Sequence, residues 1–212
     1  MKNILVTGAN GQLGNEIRNL SQNNNDYNYF FTDINELDIC NEKIVCDFVV
    51  SNNIDTIINC AAYTAVDKAE DDKELCDRIN NIAVGNLAAA AVKNKASFIH
   101  ISTDYVFDGT NHIPYKESEE TSPASVYGVT KLAGEKRAME LCSRCMIIRT
   151  AWLYSKYGNN FVKTMMKYGK EKELMKVVFD QIGTPTYAKD LANVIFTAIN
   201  KGVVPGIYHF SN

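Results

Sequence analysis

No basic block interrupts this sequence. Its 22 lysines and arginines are outnumbered by 25 acidic residues, for a formal net charge of -3. Nucleic-acid binding, which draws on neutralising phosphates, has little electrostatic support. Long hydrophobic runs are missing too. The opening M-K-N-I-L-V-T-G holds three apolar residues in a row, too few for a leader's apolar stretch or a membrane span. A cytoplasmic protein with no membrane partner is expected. Histidine is scarce and scattered, at His100, His112 and His209, so no metal site is predicted. His100 sits inside an apolar run and reads as structural. The six cysteines come without a secretion signal, and no disulfide framework is expected. Cys142-Ser-Arg-Cys145 has redox or zinc spacing, but no second such pair accompanies it. It reads as two small residues near a helix end. There is no internal repeat and no low-complexity linker.

What is present is an ordinary globular composition, 46% apolar and 22% charged over 212 residues. That suffices for one domain with a proper core, or one and a half. Short apolar runs alternate with longer amphipathic segments. Strands are predicted at 3–7, 27–32, 56–60, 97–102, 146–149 and near 176–179. Helices are predicted at 12–20, 42–50, 73–93, from Pro123 to about Leu141, and at 161–170 and 188–200. Such alternation implies parallel strands joined by crossovers, an α/β doubly wound sheet covered on both faces. Residues 1–150 are read as a dinucleotide-binding domain. Residues 151–212 are read as a smaller, incomplete substrate-binding part, with a helix over 184–201 packing back on the first domain. The closing G-I-Y-H-F-S-N looks like a strand entering something further, with a C-terminal portion expected to be missing.

Gly8-Ala-Asn-Gly11-Gln12-Leu13-Gly14 follows the first strand and opens the first helix. In that context the glycines let the backbone approach a pyrophosphate, and the helix start offers free N–H groups. Asp33 lies nineteen residues beyond Gly14, where dinucleotide folds place an acid against ribose hydroxyls. A carboxylate there repels a 2′-phosphate and favours NADH over NADPH. Asp38 and Ile39 are placed to flank the adenine. Ala61, Ala62, Tyr63 and Thr64 end the third strand, beside the same crevice.

The fourth strand ends in His100-Ile101-Ser102-Thr103-Asp104. Tyr127 and Lys131 follow, four apart and on one helix face. A hydroxyl, a tyrosine and a lysine form a coherent unit for ketone reduction. Hydride addition makes an alkoxide that needs a proton. A free tyrosine, with a pKa of about 10, is a poor donor near neutrality. Lowering it by about three units takes roughly 4 kcal/mol. One exposed ion pair is worth about 0–1 kcal/mol, so Lys131 is one contributor among several.

The motifs T-G-x-x-G-x-x-G, S-T-D-Y-V-F-D-G and Y-G-x-T-K-L-x-G-E resemble the extended short-chain dehydrogenase/reductases. Within them the chain is most similar to the dTDP-4-dehydrorhamnose reductase family. A-A-Y-T-A-V-D-K-A-E (61–70), I-R-T-A-W-L-Y (148–154), G-N-N-F (158–161) and D-Q-I-G-T-P-T (180–186) carry the likeness along the whole chain. The resemblance implies a Rossmann-like fold and reduction of the 4-keto group of dTDP-4-dehydro-L-rhamnose, feeding cell-envelope polysaccharide. It implies Tyr127 as proton donor, Lys131 as its electrostatic partner and ribose ligand, and Thr103 as carbonyl anchor. By position, Thr103, Asp104 and Trp152 would touch the sugar. Gly8, Gly11, Gln12, Leu13, Gly14, Asp33, Asp38, Ile39, Ala62, Tyr63, Thr64 and Ile101 would line the cofactor, NADH or NADPH, together with Tyr127 and Lys131. The expected partner is a nucleotide sugar, with a homodimer left open. Some relatives dimerise through Mg²⁺. The run Glu70-Asp71-Asp72 does not establish such a site and reads as a solvated helix start. Two other readings use the same residues. One is an epimerase or dehydratase on this scaffold. The other is a non-catalytic subunit like the regulatory one of methionine adenosyltransferase.

Overall fold

The structure, a computed structural model, describes residues 1–177 and 181–212. In chain order the first elements are β1 (Lys2–Thr7), α1 (Gln12–Ser21), β2 (Tyr27–Thr32), α2 (Glu42–Ser51) and β3 (Ile54–Asn59). Two short helices follow, α3 (Val66–Ala69) and α4 (Lys73–Asp77). A π-helical turn over Arg78–Ile82 leads into α5 (Ala83–Lys93). Next come β4 (Ser97–Thr103), a 3₁₀ turn over Asp104–Val106, α6 (Val126–Leu141), β5 (Cys145–Thr150) and β6 (Leu153–Tyr154). The remainder is α7 (Phe161–Glu171), β7 (Thr186–Tyr187), α8 (Ala188–Lys201) and β8 (Gly206–His209).

Six strands form one sheet in the order β2-β1-β3-β4-β5-β8, with every pairing parallel. The side-chain period of two sorts each strand between two cores. Leu5, Ile57, Phe98 and Ile147 point to one face, against Val45 and Val49 of α2 and Leu87 and Ala91 of α5. Their neighbours Ile4, Val6, Ile58, Ile99 and Ile148 point to the other, against Ile17 of α1 and Leu191 and Ile195 of α8. Strands buried on both faces read as unbroken apolar runs, as I-L-V and I-I do here. The doubly wound sheet is therefore present as expected. Strand order reverses between β1 and β3, the place where such sheets leave a ligand crevice beyond the strand ends.

Several local expectations are revised. The 73–93 helix is interrupted by the π-helical turn, which no periodicity marks. The helix expected from Pro123 starts at Val126, because Ser125 caps it and accepts a bond from the Gly128 N–H at 3.1 Å. The final strand, β8, pairs with β5 in the main sheet. Of the strand expected near 176–179, Lys176 and Val177 have no regular structure and the rest lies outside the described residues. The 184–201 helix begins at Ala188, after β7, and packs on α1 through Leu191, Ala192 and Ile195.

Candidate active site

The crevice begins at Gly8. Its φ of +64° is the left-handed region, and a Cβ there would meet the Ala61 backbone N at 2.6 Å. Only glycine lets β1 turn this close to the end of β3. Gly11 caps α1 in extended conformation with no side-chain cap bond, so the first-turn N–H groups around Gln12, Leu13 and Gly14 lack the usual capping acceptor. Leu13 itself is buried in the core. Gln12 spends its side chain on structure, donating to the Leu153 carbonyl at 3.1 Å and accepting from Asn160 Nδ2 at 2.9 Å.

Asp33 follows β2 directly and its Oδ2 accepts from the Asn10 N–H at 3.0 Å. The carboxylate therefore stands over the glycine loop. Asp38 Oδ1 accepts from the Cys40 N–H at 2.9 Å, while the Ile39 side chain is core. Ala62 and Tyr63 are half-buried after β3, and Thr64 is exposed. Asn80, from the π-helical turn, clamps Tyr63 from both sides. Its Oδ1 accepts from the Tyr63 N–H at 2.9 Å and its Nδ2 donates to the Tyr63 carbonyl at 3.1 Å.

Thr103 ends β4 and caps the following 3₁₀ turn. Its hydroxyl donates to Asp104 Oδ1 at 3.0 Å and accepts from the Tyr105 N–H at 3.2 Å. Tyr127, in the first turn of α6, is 9% exposed and edge-on to the Tyr105 ring, with centroids 5.5 Å apart. Burial drives its pKa above the ordinary value. The nearby Thr103 hydroxyl pulls it down, and Asp104, Tyr105 and Cys76 push it up. Desolvation also raises Asp104.

Lys131 sits one turn further along α6 and is fully enclosed. Its Nζ donates to the Ile101 carbonyl at 2.6 Å and lies 3.4 Å from His100 Nε2. Burial drops it from 10.5 to about 8, against the pull of the Glu135 carboxylate and the Cys76 and Cys60 thiols. The lysine is thus held by β4, and does not by itself supply the lowering that Tyr127 needs as an acid. Trp152, after β5, is half-buried with φ at 45°. Its ring lies 5.7 Å from that of Phe161, and a Cβ at Gly183 would touch it at 3.4 Å.

Four features were missed in the sequence. Asn80 is one. A second is Gly128, where a Cβ would collide with the Tyr105 carbonyl oxygen, so α6 seats directly on the turn after Thr103. A third is Glu70, expected as a solvated residue, whose Oε1 accepts from the Val126 N–H at 2.9 Å and caps α6. The fourth is a buried ion pair: Arg149 Nη2 meets Glu135 Oε2 at 2.7 Å. Only the G in Y-G-x-T-K carried a readable signal, since a glycine inside a helix weakens it unless packing requires it. No cluster of metal-binding side chains occurs among the described residues, and no helix there is long and apolar enough to cross a membrane.

Comparison with known proteins gives one consistent answer. The family model described as the RmlD substrate binding domain matches residues 1–212. The dTDP-4-dehydrorhamnose reductase of Aggregatibacter actinomycetemcomitans is 42% identical, over 100% of this chain and 74% of the relative. That of Salmonella typhimurium is 44% identical, over 98% and 71%. The crystal structure of the dTDP-4-dehydrorhamnose reductase from Clostridium acetobutylicum superposes with a TM-score of 0.95 at 46% identity, covering 99% of this chain and 74% of that one. The Bacillus anthracis enzyme in complex with NADP does so with a TM-score of 0.95 at 45% identity, covering 100% and 75%. A dTDP-glucose 4,6-dehydratase, at 18% identity and a TM-score of 0.82, shares the fold. By family model, sequence and structure alike, this chain belongs to the dTDP-4-dehydrorhamnose reductase family.

Proposed function

We propose that this chain, an NAD(P)H-dependent oxidoreductase, reduces the 4-keto group of dTDP-4-dehydro-L-rhamnose to give dTDP-L-rhamnose, with Tyr127 as proton donor. The observation that carries this is the placement of Thr103 at the end of β4, with the buried Tyr127 ring edge-on to Tyr105 just beyond it. Once Thr103 turns its proton from Asp104, two O–H donors can address one carbonyl oxygen, which is where charge develops during reduction.

The crevice fits a dinucleotide. The strained turn at Gly8 and the uncapped start of α1 suit a pyrophosphate, and the Asp33 carboxylate suits ribose hydroxyls. When bound, the nicotinamide supplies the hydride. Gly8, Gly11 and Gly14 would hold the phosphates through backbone N–H groups. Asp33, Asp38, Ile39, Ala62, Tyr63, Thr64 and Ile101 would line the rest, and Asp33 tilts the choice toward NADH. Thr103 anchors the carbonyl and holds it in line. As the keto oxygen gains charge, the Tyr127 O–H bond breaks and the new alcohol O–H forms. A phenol held above its ordinary pKa stays protonated until that moment. Lys131, balanced near neutrality, offsets the phenolate when charged, and the positive end of α6 adds to it. Trp152, backed by Phe161, offers an aromatic face to the sugar's C–H side, with Asp104 nearby on the turn.

Nicotinamide absorbance during mixing with dTDP-4-dehydro-L-rhamnose and NADH or NADPH is the direct test. The cofactor is consumed in step with product, and Tyr127→Phe loses at least about 100-fold in kcat, the scale of general acid catalysis. A Tyr127→Phe variant as fast as the parent would sink this reading.

A further inference from the structure

A buried polar chain runs beneath the crevice, across three strands. Thr7 Oγ1 on β1 donates to Asn59 Oδ1 on β3 at 2.7 Å. The Ala61 N–H donates to the same oxygen at 3.1 Å. Asn59 Nδ2 then faces His100 Nδ1 on β4 at 3.1 Å, and His100 Nε2 faces Lys131 Nζ at 3.4 Å. Thr7, Asn59, His100 and Lys131 are each at most 1% exposed, so water does not stand in for a missing partner.

The hydrogen positions follow from bookkeeping on this chain. A backbone N–H only donates, so the Ala61 contact fixes which end of the Asn59 amide is oxygen. The Asn59 nitrogen is then a donor, and His100 Nδ1 must accept from it. A neutral imidazole that accepts at Nδ1 carries its proton on Nε2. His100 is held neutral, since burial lowers its pKa well below the ordinary value. Its Nε2–H therefore points at Lys131. An ammonium has no lone pair to receive it, whereas a neutral amine does. The amine still donates one N–H to the Ile101 carbonyl.

We infer that His100, oriented through Asn59 and Thr7, is a positioning residue that favours the neutral amine of Lys131 in the resting enzyme. The inference rests on the Tyr127/Lys131 reading for its catalytic meaning, but not for its geometry. Glu135 on α6 acts in the opposite sense, favouring the ammonium, as do the Cys60 thiol at the end of β3 and the Cys76 thiol on α4. Lys131 is thus balanced between an N–H donor on the strand side and a carboxylate on the helix side. Above about pH 8, where folded Lys131 rests as the amine, its protonation becomes part of the cycle. There, when Tyr127 gives its proton to the alkoxide, Lys131 takes one from solvent, and the new phenolate faces a new ammonium.

The test measures Lys131 itself. NMR of the full chain carrying ¹³C-labelled lysine at graded pH, with the Lys131 signal assigned by its loss in Lys131→Met, gives its titration midpoint without turnover. His100→Phe keeps a ring beside Phe98 and removes the N–H. Its midpoint should rise by about one pH unit, the worth of one hydrogen bond. His100→Gln can accept from Asn59 and donate toward Lys131, and should return the midpoint toward the parent's. The alkaline limb of kcat should move with the midpoint. An unchanged or lowered midpoint in folded His100→Phe, or one in His100→Gln equal to that of His100→Phe, overturns the inference. Inactivity of the parent toward the keto sugar would instead strike the proposed function and leave the titration result standing.

Discussion

Replacing Gly128 by alanine tests whether the seat of α6 positions the chemistry. A Cβ there would collide with the Tyr105 carbonyl oxygen and stand 3.0 Å from Pro123 Cβ and 3.1 Å from the Tyr105 carbonyl carbon. Comfortable carbon contacts begin near 3.5 Å. Neither the 3₁₀ turn nor the helix backbone is a soft partner, so α6 must withdraw by about 1 Å. Overpacking of this kind costs about 1–3 kcal/mol, or about 2–12 °C in Tm for a chain of this size. Tyr127 precedes Gly128 and travels with it, away from Thr103. A displacement of about 1 Å costs on the order of 100-fold in rate, close to 2.7 kcal/mol in the barrier. Gly169→Ala is the control. It lies in exposed α7 with nothing within 4 Å, and should gain about 0.5–1 kcal/mol from helix propensity alone. Thermal unfolding and steady-state kcat on both variants give the answer. Gly128→Ala with the parent's kcat would refute the claim that this contact sets the Tyr127–Thr103 geometry.

Other perturbations follow from the same structure. Unfolded Lys131 holds its proton up to 10.5 and folded Lys131 only to about 8. Between those values the unfolded state binds more protons, so stability rises with pH through that window and the full cost is present below about 8. Lys131→Met should remove that cost, on the order of 3 kcal/mol, raising urea stability at pH 7 while activity is lost. Arg149→Met alone leaves Glu135 buried without a partner and should destabilise by about 3–5 kcal/mol. Glu135→Leu together with Arg149→Met should recover most of it in urea titrations. Asp33→Ser should raise the ratio of NADPH to NADH use in kcat/KM by about tenfold or more, since like charges about 4 Å apart near a surface repel by about 4 kcal/mol.

The fold was legible because buried parallel strands write themselves as unbroken apolar runs, and I-L-V (4–6) and T-I-I (56–58) leave no other use. The glycine loop and Asp33 were legible because each follows a strand directly. Less readable was anything set by contact between distant segments. Glu70 reads as one acid in an acidic run, and only the fold brings it to the Val126 N–H. His100 reads as a core residue, and its environment is indeed core. The neighbour that gives it a role is 31 residues away. Asn80 is unreadable for another reason. It lies where the helical period itself is broken, so no stripe pattern could assign its face.

That break has a consequence for how the chain tolerates change. A π-helical turn amounts to one residue more than an α-helix needs, taken up without turning the flanking helices against each other. Before it, Cys76 looks toward Thr130 on α6, their Sγ and Oγ1 3.2 Å apart. After it, Ala83, Val84 and Leu87 look into the sheet core. Deleting one residue within 78–82 would restore a regular rod and leave the two flanks facing as they do, because the wide turn absorbs the surplus residue. The core stripe would keep its place, and the Asn80 clamp on Tyr63 would be lost. The surplus residue thus serves the crevice and not the core, and its deletion would cost position at Tyr63 before it cost packing.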